Sequence, residues 1–225
     1  VTGPNAAGKT SFLLTLAGAR MDYIEDIKNS SIVVNEWSVL EKTRKELQEI
    51  SGMVMADYEA QLVTERVMDE VDFSLENAGI LPTEILERRT EVLKLVGLAD
   101  FADAKISALS GGQKQRLAIA VMLAKKPEIL LLDEPVAAID PEGAREIYEL
   151  LYTINQTCQT TIIVAEHDLK YVSPYASQML LFDDMKLEFS GSMKACLQTM
   201  YDKKLYAEAI PLQSKIHLEL GERLC

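Results

Sequence analysis

The chain opens with a glycine-bounded loop that restricts its possible folds more than any other stretch. Residues 3–10 read Gly-Pro-Asn-Ala-Ala-Gly-Lys-Thr, the G-x-x-x-x-G-K-[ST] spacing of a phosphate-binding loop. Glycine lets the backbone N–H groups approach an anion, and the N-terminus of a following helix carries about half a positive charge. Lys9 adds a full charge, and the Thr10 hydroxyl suits Mg²⁺. An apolar helical stripe at residues 12–17 follows, so the loop predicts a site for a nucleotide phosphate.

A loop of this kind normally follows a buried strand, but only Val1 and Thr2 precede it here. We therefore expect at least one N-terminal strand of the fold to be missing from the sequence.

Composition and charge limit the kinds of partner and the cellular environment that we expect for this chain. A length of 225 residues suits one large domain or a domain with a subdomain. The formal net charge of −12 disfavours nucleic acid as the main partner, because phosphate backbones select basic surfaces. The three cysteines form no C-x-x-C pair, which suits a reducing cytosol. No apolar run approaches the ~18 residues of a membrane span, so we expect any membrane role to depend on a partner.

Apolar runs alternate with helical patterns along the rest of the chain. Strands are predicted at residues 31–34, 52–55, 129–132 and 161–164, and helical segments at 41–50, 62–79, 82–96, 110–125 and from 141. A hairpin at 179–182 and 186–189 precedes a polar helical tail that starts near residue 192 and breaks at Pro211. This alternation predicts an α/β domain with a mostly parallel sheet.

A second glycine-rich turn lies before the helix predicted at residues 110–125. Ser110, Gly111 and Gly112 combine a capping hydroxyl with exposed backbone at a helix N-terminus. In isolation such a turn is more often a simple cap. The chain nevertheless has two helix ends suited to phosphate, and one nucleotide bound at Lys9 does not need both.

Polar residues end two of the predicted buried strands. Asp133 and Glu134 follow the run at 129–132, at the strand end where open α/β sheets bind ligands. One carboxylate would hold Mg²⁺ while the next faces an attacking water, although a capping pair is the alternative. His167 ends the next strand and suits a contact with a γ-phosphate, although a lone histidine there is more often structural.

Together these residues resemble the nucleotide-binding subunit of ATP-binding cassette (ABC) transporters. The phosphate loop, L-S-G-G-Q-K-Q-R, I-L-L-L-D-E-P, A-I-D-P and E-H-D occur in that family's order and spacing. The resemblance implies a RecA-like P-loop NTPase core with an inserted helical subdomain at about 62–126, within a domain spanning 1–190. It further implies a C-terminal helical extension at 191–225, ATP and Mg²⁺ as cofactors, and head-to-tail dimers that enclose two ATP molecules.

The resemblance also implies a role for each matching residue. Thr10 and Asp133 would hold Mg²⁺, Glu134 would orient or deprotonate the water, and His167 would contact the γ-phosphate. The dimer loop would contain Asp140. In the dimer, the signature of one chain would cover the γ-phosphate held by Lys9 of the other. That signature consists of Ser110, Gly111, Gly112 and Gln113. The residues implied to bind ATP are Gly3, Pro4, Asn5, Ala6, Ala7, Gly8, Lys9, Thr10 and Ser11.

A finer resemblance is to the ATPase subunits of energy-coupling factor (ECF) transporters, which import vitamins and metal ions. Residues 57–62 look like that subfamily's x-P-E-x-Q element, residues 76–80 like its E-N-x-G-I, and residues 210–221 like its C-terminal helical segment.

The sequence departs from the family pattern at three places. Ala56 stands where the family has a metal-contacting glutamine. Ala6 replaces a loop glycine, and Tyr58 replaces the proline of the x-P-E-x-Q element. The aromatic residue that stacks on adenine would lie before Val1.

The sequence thus predicts an ATP-hydrolysing motor subunit at the cytoplasmic face of the cell membrane. Its expected partners are a second ABC ATPase subunit and a transmembrane coupling protein, which would dock near residues 55–61. The alternative is a regulatory or structural cassette that closes on nucleotide with little turnover, which Ala56 favours and Glu134 and His167 oppose. A cassette protein acting on ribosomes or DNA is a third option, disfavoured by the acidic charge and the single cassette.

Overall fold

The computed structural model describes residues 1–19, 33–34, 37–38 and 44–220 of the chain. These residues form two compact units. The central unit is Leu14–Ile163, and the terminal unit combines Val1–Leu13 with Val164–Cys225. The subdomain boundaries implied by the family resemblance follow a different division and stay a prediction.

The central unit contains a three-stranded sheet. Its hydrogen-bonded order is β3 (Ser51–Val54), β4 (Ile129–Asp133) and β5 (Thr161–Ala165), with β5 continuing into the terminal unit. β3 runs parallel to β4, with Ser51 opposite Ile129. Every residue of β4 is buried, as expected of a continuous apolar strand covered on both faces. The α/β class with a parallel sheet is therefore confirmed. A short antiparallel pair, β1 (Val33–Val34) and β2 (Trp37–Ser38), is separate from this sheet. The first half of the strand predicted at 31–34 lies outside the described residues.

Within the described residues, the central unit also contains five complete α-helices: α2 (Arg44–Ile50), α3 (Val67–Asn77), α4 (Pro82–Leu95), α5 (Gly111–Leu123) and α6 (Pro141–Cys158). Proline opens α4 and α6, because its fixed φ suits a first helical turn and its missing N–H is not needed there. α3, α4 and α5 pack on one another, and α5 also packs against β3 and α6.

The helix predicted from residue 62 begins only at Val67. Its N-terminal stretch is instead extended around the buried Glu70, whose Oε2 accepts hydrogen bonds from the Val63 and Thr64 N–H groups at 2.9 and 2.7 Å. The Glu70 carboxylate, within α3, thus accepts hydrogen bonds from backbone N–H groups that precede the helix, and these residues remain outside it.

The terminal unit is built on the antiparallel hairpin β6 (Gln178–Asp183) and β7 (Lys186–Ser192). Both turn residues, Asp184 and Met185, have positive φ, as a two-residue hairpin turn with the twist of its strands requires. α7 (Leu169–Val172), α8 (Met193–Lys203) and α9 (Leu212–Glu219) complete the unit, and α1 (Lys9–Leu16) begins in it. Its apolar core, here called the terminal core, consists of Leu169, Met179, Leu181, Cys196, Leu197, Met200, Ile210 and Leu218.

The two residues before the phosphate loop are paired on both sides. Thr2 N–H donates to Leu180 O and Phe182 N–H to Thr2 O, both at 2.8 Å. On the other side, Glu166 N–H donates to Val1 O at 2.9 Å. The loop therefore leaves from a strand-like segment, as the motif predicts. Among the described residues, no helix is both long enough and apolar enough to cross a membrane.

Candidate functional site

The phosphate loop depends on backbone that side chains would block or strain. Gly3 has φ +147°, and a Cβ there would lie 2.0 Å from the carbonyl oxygen of Phe182 in β6. Gly8 has φ +100°. Ala6, which replaces a glycine of the family pattern, has φ +62°. The turn thus keeps the left-handed shape that glycine would give it. This conformation is strained at Ala6, because left-handed backbone is unfavourable for an L-residue with a Cβ.

Lys9 lies over this loop. Its side chain is buried, and Nζ donates to the carbonyl oxygens of Gly3 at 2.7 Å and Pro4 at 3.0 Å. Lys9 is also the first residue of α1, with Thr10 exposed beside it, so the N–H groups of the first turn have no partner inside their own helix. An ammonium group and a helix N-terminus thus meet at one loop, an arrangement suited to a phosphate.

His167 lies beside Lys9 in the terminal unit. Its Nδ1 is 3.3 Å from Lys9 Nζ and 3.2 Å from the Tyr206 hydroxyl. The preceding residue, Glu166, is buried, and its carbonyl oxygen accepts the Thr2 hydroxyl at 2.9 Å. A hydrogen bond therefore connects the residue before His167 to Thr2, which directly precedes the phosphate loop.

The predicted carboxylates lie in the central unit. Asp133 is the last residue of β4 and is buried, at 4% exposure. Glu134 is half-buried and adopts φ +48°, so the chain leaves the strand direction at this residue. Asp133 and Glu134 thus differ in burial and in backbone conformation, and their separate roles stay a prediction.

Ser110 and Gln113 form a reciprocal cap on α5. Ser110 Oγ accepts from the Gln113 N–H at 3.3 Å, and Gln113 Oε1 accepts from the Ser110 N–H at 2.9 Å. This capping box satisfies one donor at the helix end and the one just before it. The turn therefore caps α5, as the simpler interpretation of the sequence predicts. The N–H groups of Gly111 and Gly112, in the first turn, point toward the N-terminus of the helix.

Asp140 is the N-cap residue of α6. Its Oδ1 accepts from the N–H groups of Gly143 and Glu142, each at 3.0 Å. These two bonds, that to Gly143 first, hold the pKa of Asp140 below its usual range. Both capped helix ends open on one cavity of about 450 Å³, whose rim includes the ion pair between Arg116 and Glu146.

The loop after β3 is tied to the start of α5. Tyr58 is buried, and its hydroxyl donates to Gly111 O at 3.3 Å. Burial first, and the Glu59 carboxylate second, raise the pKa of Tyr58. Glu59 pairs with Lys114 at 2.7 Å. The tyrosine that replaces a family proline is thus a packed part of the signature's surroundings, which no local sequence signal indicated.

The structure thus brings the phosphate loop, Lys9 and His167 together in the terminal unit. It brings the signature and Asp140 to one cavity of the central unit. Asp133 and Glu134 belong to the same unit but do not line that cavity. Sequence reasoning missed Tyr206 and the buried position of Tyr58.

Comparison with known proteins gives these sites a family. Residues 1–137 match the family described as ABC transporter. The ECF transporter ATP-binding protein EcfA1 of Lactobacillus delbrueckii subsp. bulgaricus is 34% identical over 221 residues, covering 98% of this chain and 77% of that protein.

Two solved structures have the same fold. CbiO1 of Clostridium perfringens, part of the ABC transporter complex CbiONQ, superposes with a TM-score of 0.78 and 28% identity, covering 90% of this chain and 82% of the other. The ATP-binding cassette MJ0796, a dimer in a post-hydrolysis state with ADP and Pi, has a TM-score of 0.68 and 25% identity, covering 85% and 83%. The chain belongs to the ABC transporter family, as an ATP-binding subunit with ATPase activity that uses ATP and Mg²⁺.

Proposed function

We propose that this chain is the ATPase subunit of an energy-coupling factor transporter that imports a vitamin or a metal ion. The motor role is carried by one observation: Lys9 Nζ lies on the phosphate loop and within 3.3 Å of His167 Nδ1. The ECF assignment is supported by the EcfA1 relative, by the likeness to CbiO1, and by the elements at residues 57–62 and 76–80.

The phosphate loop would hold the outer phosphates of ATP. The left-handed turns at Gly3 and Gly8 expose backbone donors, and Lys9 supplies the loop's full positive charge. In the structure the Lys9 ammonium donates to two loop carbonyls. A phosphate oxygen is a stronger acceptor than a neutral carbonyl, so Lys9 would turn to the phosphate when nucleotide binds. Asn5 and Ala6, both exposed at the tip of the loop, would border the nucleotide.

Hydrolysis would depend on the residues at two strand ends. Thr10 and Asp133 would hold Mg²⁺ with a hydroxyl and a carboxylate, and the ion would supply positive charge against the charge that develops on the phosphates. Glu134 would orient or deprotonate the water, and His167 would donate to the terminal phosphate.

The signature would act on the nucleotide of a second subunit. Ser110, Gly111, Gly112 and Gln113 line the cavity that also receives the α6 cap at Asp140. Two helix N-termini at one opening favour a negatively charged group. MJ0796 is dimeric, and ABC ATPases dimerise, so we place the boundary between subunits at this cavity.

The membrane partner would dock on the central unit near residues 55–61. Val63, at 65% exposure, is an apolar side chain beside the loop that contacts α5. A helix of the partner that covers this region would press on Tyr58 and thereby on the start of α5. Through this partner the protein would act at the cytoplasmic face of the membrane.

A transport assay tests the proposal. The full-length protein with its co-purified membrane proteins is reconstituted in vesicles, and ATP-driven uptake is measured for a panel of vitamins and divalent metal ions. Glu134→Gln serves as the matched control, since it would bind ATP without hydrolysing it. We expect uptake of one compound by the parent and none by the control. Co-purification of no membrane protein, or equal uptake by both, would contradict the proposal.

The rival function, a cassette that closes on nucleotide with little turnover, is favoured by Ala56. It predicts ATP binding and dimer formation without steady-state hydrolysis in the complete complex. Turnover that Glu134→Gln abolishes decides for the motor.

A further inference from the structure

A hydroxyl from the C-terminal segment reaches the histidine at the phosphate loop. Tyr206 lies between α8 and the single turn Ala207–Ala209. Its hydroxyl is 3.2 Å from His167 Nδ1 and 3.4 Å from the carbonyl oxygen of the same residue. Thirty-nine residues separate the two along the chain, but both belong to the terminal unit.

The backbone around Tyr206 is held in a costly conformation. Tyr206 has φ +48° and ψ +38°, and Lys204, two residues earlier, has φ +56°. Left-handed backbone at a non-glycine residue is unfavourable, and it persists only where surrounding contacts enforce it. Here the tyrosine ring packs against the terminal core. Packing therefore fixes the direction in which the hydroxyl points.

The contacts at Nδ1 define which imidazole nitrogen carries the proton. A lysine ammonium has only donors, so Nδ1 must accept from Lys9 and the ring proton then lies on Nε2. The Tyr206 hydroxyl has one proton, which it can donate to Nδ1 or to the carbonyl oxygen of His167. Donation to Nδ1 supports the same tautomer.

We propose that Tyr206 is a positioning residue for ATP hydrolysis, because it keeps Nδ1 of His167 an acceptor and leaves Nε2–H to donate to the terminal phosphate. This inference rests on the proposed phosphate contact of His167. When Lys9 turns to the phosphate, the imidazole loses that donor and Tyr206 stays within reach of Nδ1. The C-terminal segment thereby contributes directly to the hydrolytic site.

Kinetics give the first test. Tyr206→Phe keeps the ring that packs on the terminal core and removes the hydroxyl. We expect kcat for ATP to fall about three- to tenfold, the effect of one lost hydrogen bond, with KM and nucleotide affinity within twofold of the parent. Tyr201→Phe is the matched control, since it removes a hydroxyl from another half-buried tyrosine that packs on the same core; it should behave as the parent.

Nuclear magnetic resonance gives a second, independent test. The sequence has two histidines, His167 and His217, so a spectrum of imidazole-¹⁵N-labelled protein is simple, and His217→Gln assigns it. We expect the Nε2–H tautomer for His167 in the parent, with and without a non-hydrolysable ATP analogue. In Tyr206→Phe bound to that analogue, the signals should shift toward a mixture of tautomers.

The outcomes separate this inference from the function that it rests on. An Nδ1–H tautomer in the nucleotide-free parent overturns the inference even if Tyr206→Phe does not fold. Parent-like kcat in Tyr206→Phe, or a fall in kcat matched by weaker nucleotide binding with unchanged His167 signals, also overturns it. Absence of ATP hydrolysis by the parent complex would instead reject the proposed function, whatever the tautomer.

Discussion

Gly3→Ala should disrupt the phosphate loop more than any exposed loop substitution, for reasons given by its surroundings. The new Cβ would lie 2.0 Å from Phe182 O and 3.0 Å from its carbonyl carbon. Both atoms are backbone, and the Phe182 N–H donates to Thr2 O at 2.8 Å, so relief of the clash must disturb this pairing. At φ +147° the alanine is strained as well. Overpacking and left-handed strain each cost about 1–3 kcal/mol, so we expect a loss of about 3–5 kcal/mol.

Two other glycines separate the causes. Gly79 has φ +74° and nothing within 4 Å of a new Cβ, so Gly79→Ala should lose about 1 kcal/mol from strain alone. Gly112 is helical and equally open, so Gly112→Ala should gain about 0.5 kcal/mol. Urea unfolding of the three variants measures the series. Losses of stability in Gly3→Ala and Gly79→Ala that agree within about 0.5 kcal/mol would show that the Phe182 backbone does not oppose the new Cβ.

Three further predictions concern the sites. Lys9→Ala should lose measurable ATP affinity, whereas the exposed Lys170→Ala should not; equilibrium nucleotide binding compares them. Glu134→Gln should keep binding, lose ~10²–10⁴ in turnover and trap a dimer, as seen by ATPase assay and gel filtration; parent-like turnover would make Glu134 only a strand-end residue. The depressed pKa of Asp140 implies that its cap stabilises the protein at neutral pH and that this stabilisation is lost as pH falls through the lowered folded-state pKa. The stability difference between parent and Asp140→Ala should therefore shrink in acid, and a constant difference would refute the cap.

Local signals in the sequence were enough for much of the fold. The apolar run at 129–132 predicts a strand buried on both faces, and β4 is buried throughout. Helix starts at Pro82, Gly111 and Pro141 follow from proline and capping residues, whose effects act within one turn. For the same reason the sequence alone identifies the phosphate loop at Lys9.

Contacts distant in sequence were beyond such signals. The late start of α3 depends on Glu70 binding backbone donors six and seven residues earlier. The burial of Tyr58 depends on α5, and the aim of Tyr206 depends on packing against the terminal core. None of these residues differs in type from ordinary surface or core residues, so only the folded arrangement reveals their roles.

The position where sequence and family disagree, Ala56, gives a last prediction. A glutamine there would offer an oxygen to the metal or its water, and a hydrogen bond to a charged group is worth roughly 1.5–3 kcal/mol. The contacts of the neighbouring Asp57 and Gln61 indicate that neither side chain supplies this oxygen instead. Asp57 Oδ1 accepts from the Ala60 N–H at 3.4 Å, and both ends of the Gln61 amide bind backbone, at Met53 O and the Met55 N–H.

Both polar neighbours thus already serve the shape of their own loop, while Ala56 itself is exposed and leaves room for a longer side chain. Ala56→Gln should therefore raise turnover or tighten the Mg²⁺ dependence about tenfold, since each 1.4 kcal/mol is one decade. A steady-state Mg²⁺ titration of ATPase activity, with the dimer partner present, compares it with Asp57→Ala, which should loosen the loop and leave the Mg²⁺ midpoint unchanged. If Ala56→Gln has no effect and Asp57→Ala weakens the Mg²⁺ dependence strongly, then Asp57 is the substitute ligand, and its contact with Ala60 is given up when the metal binds.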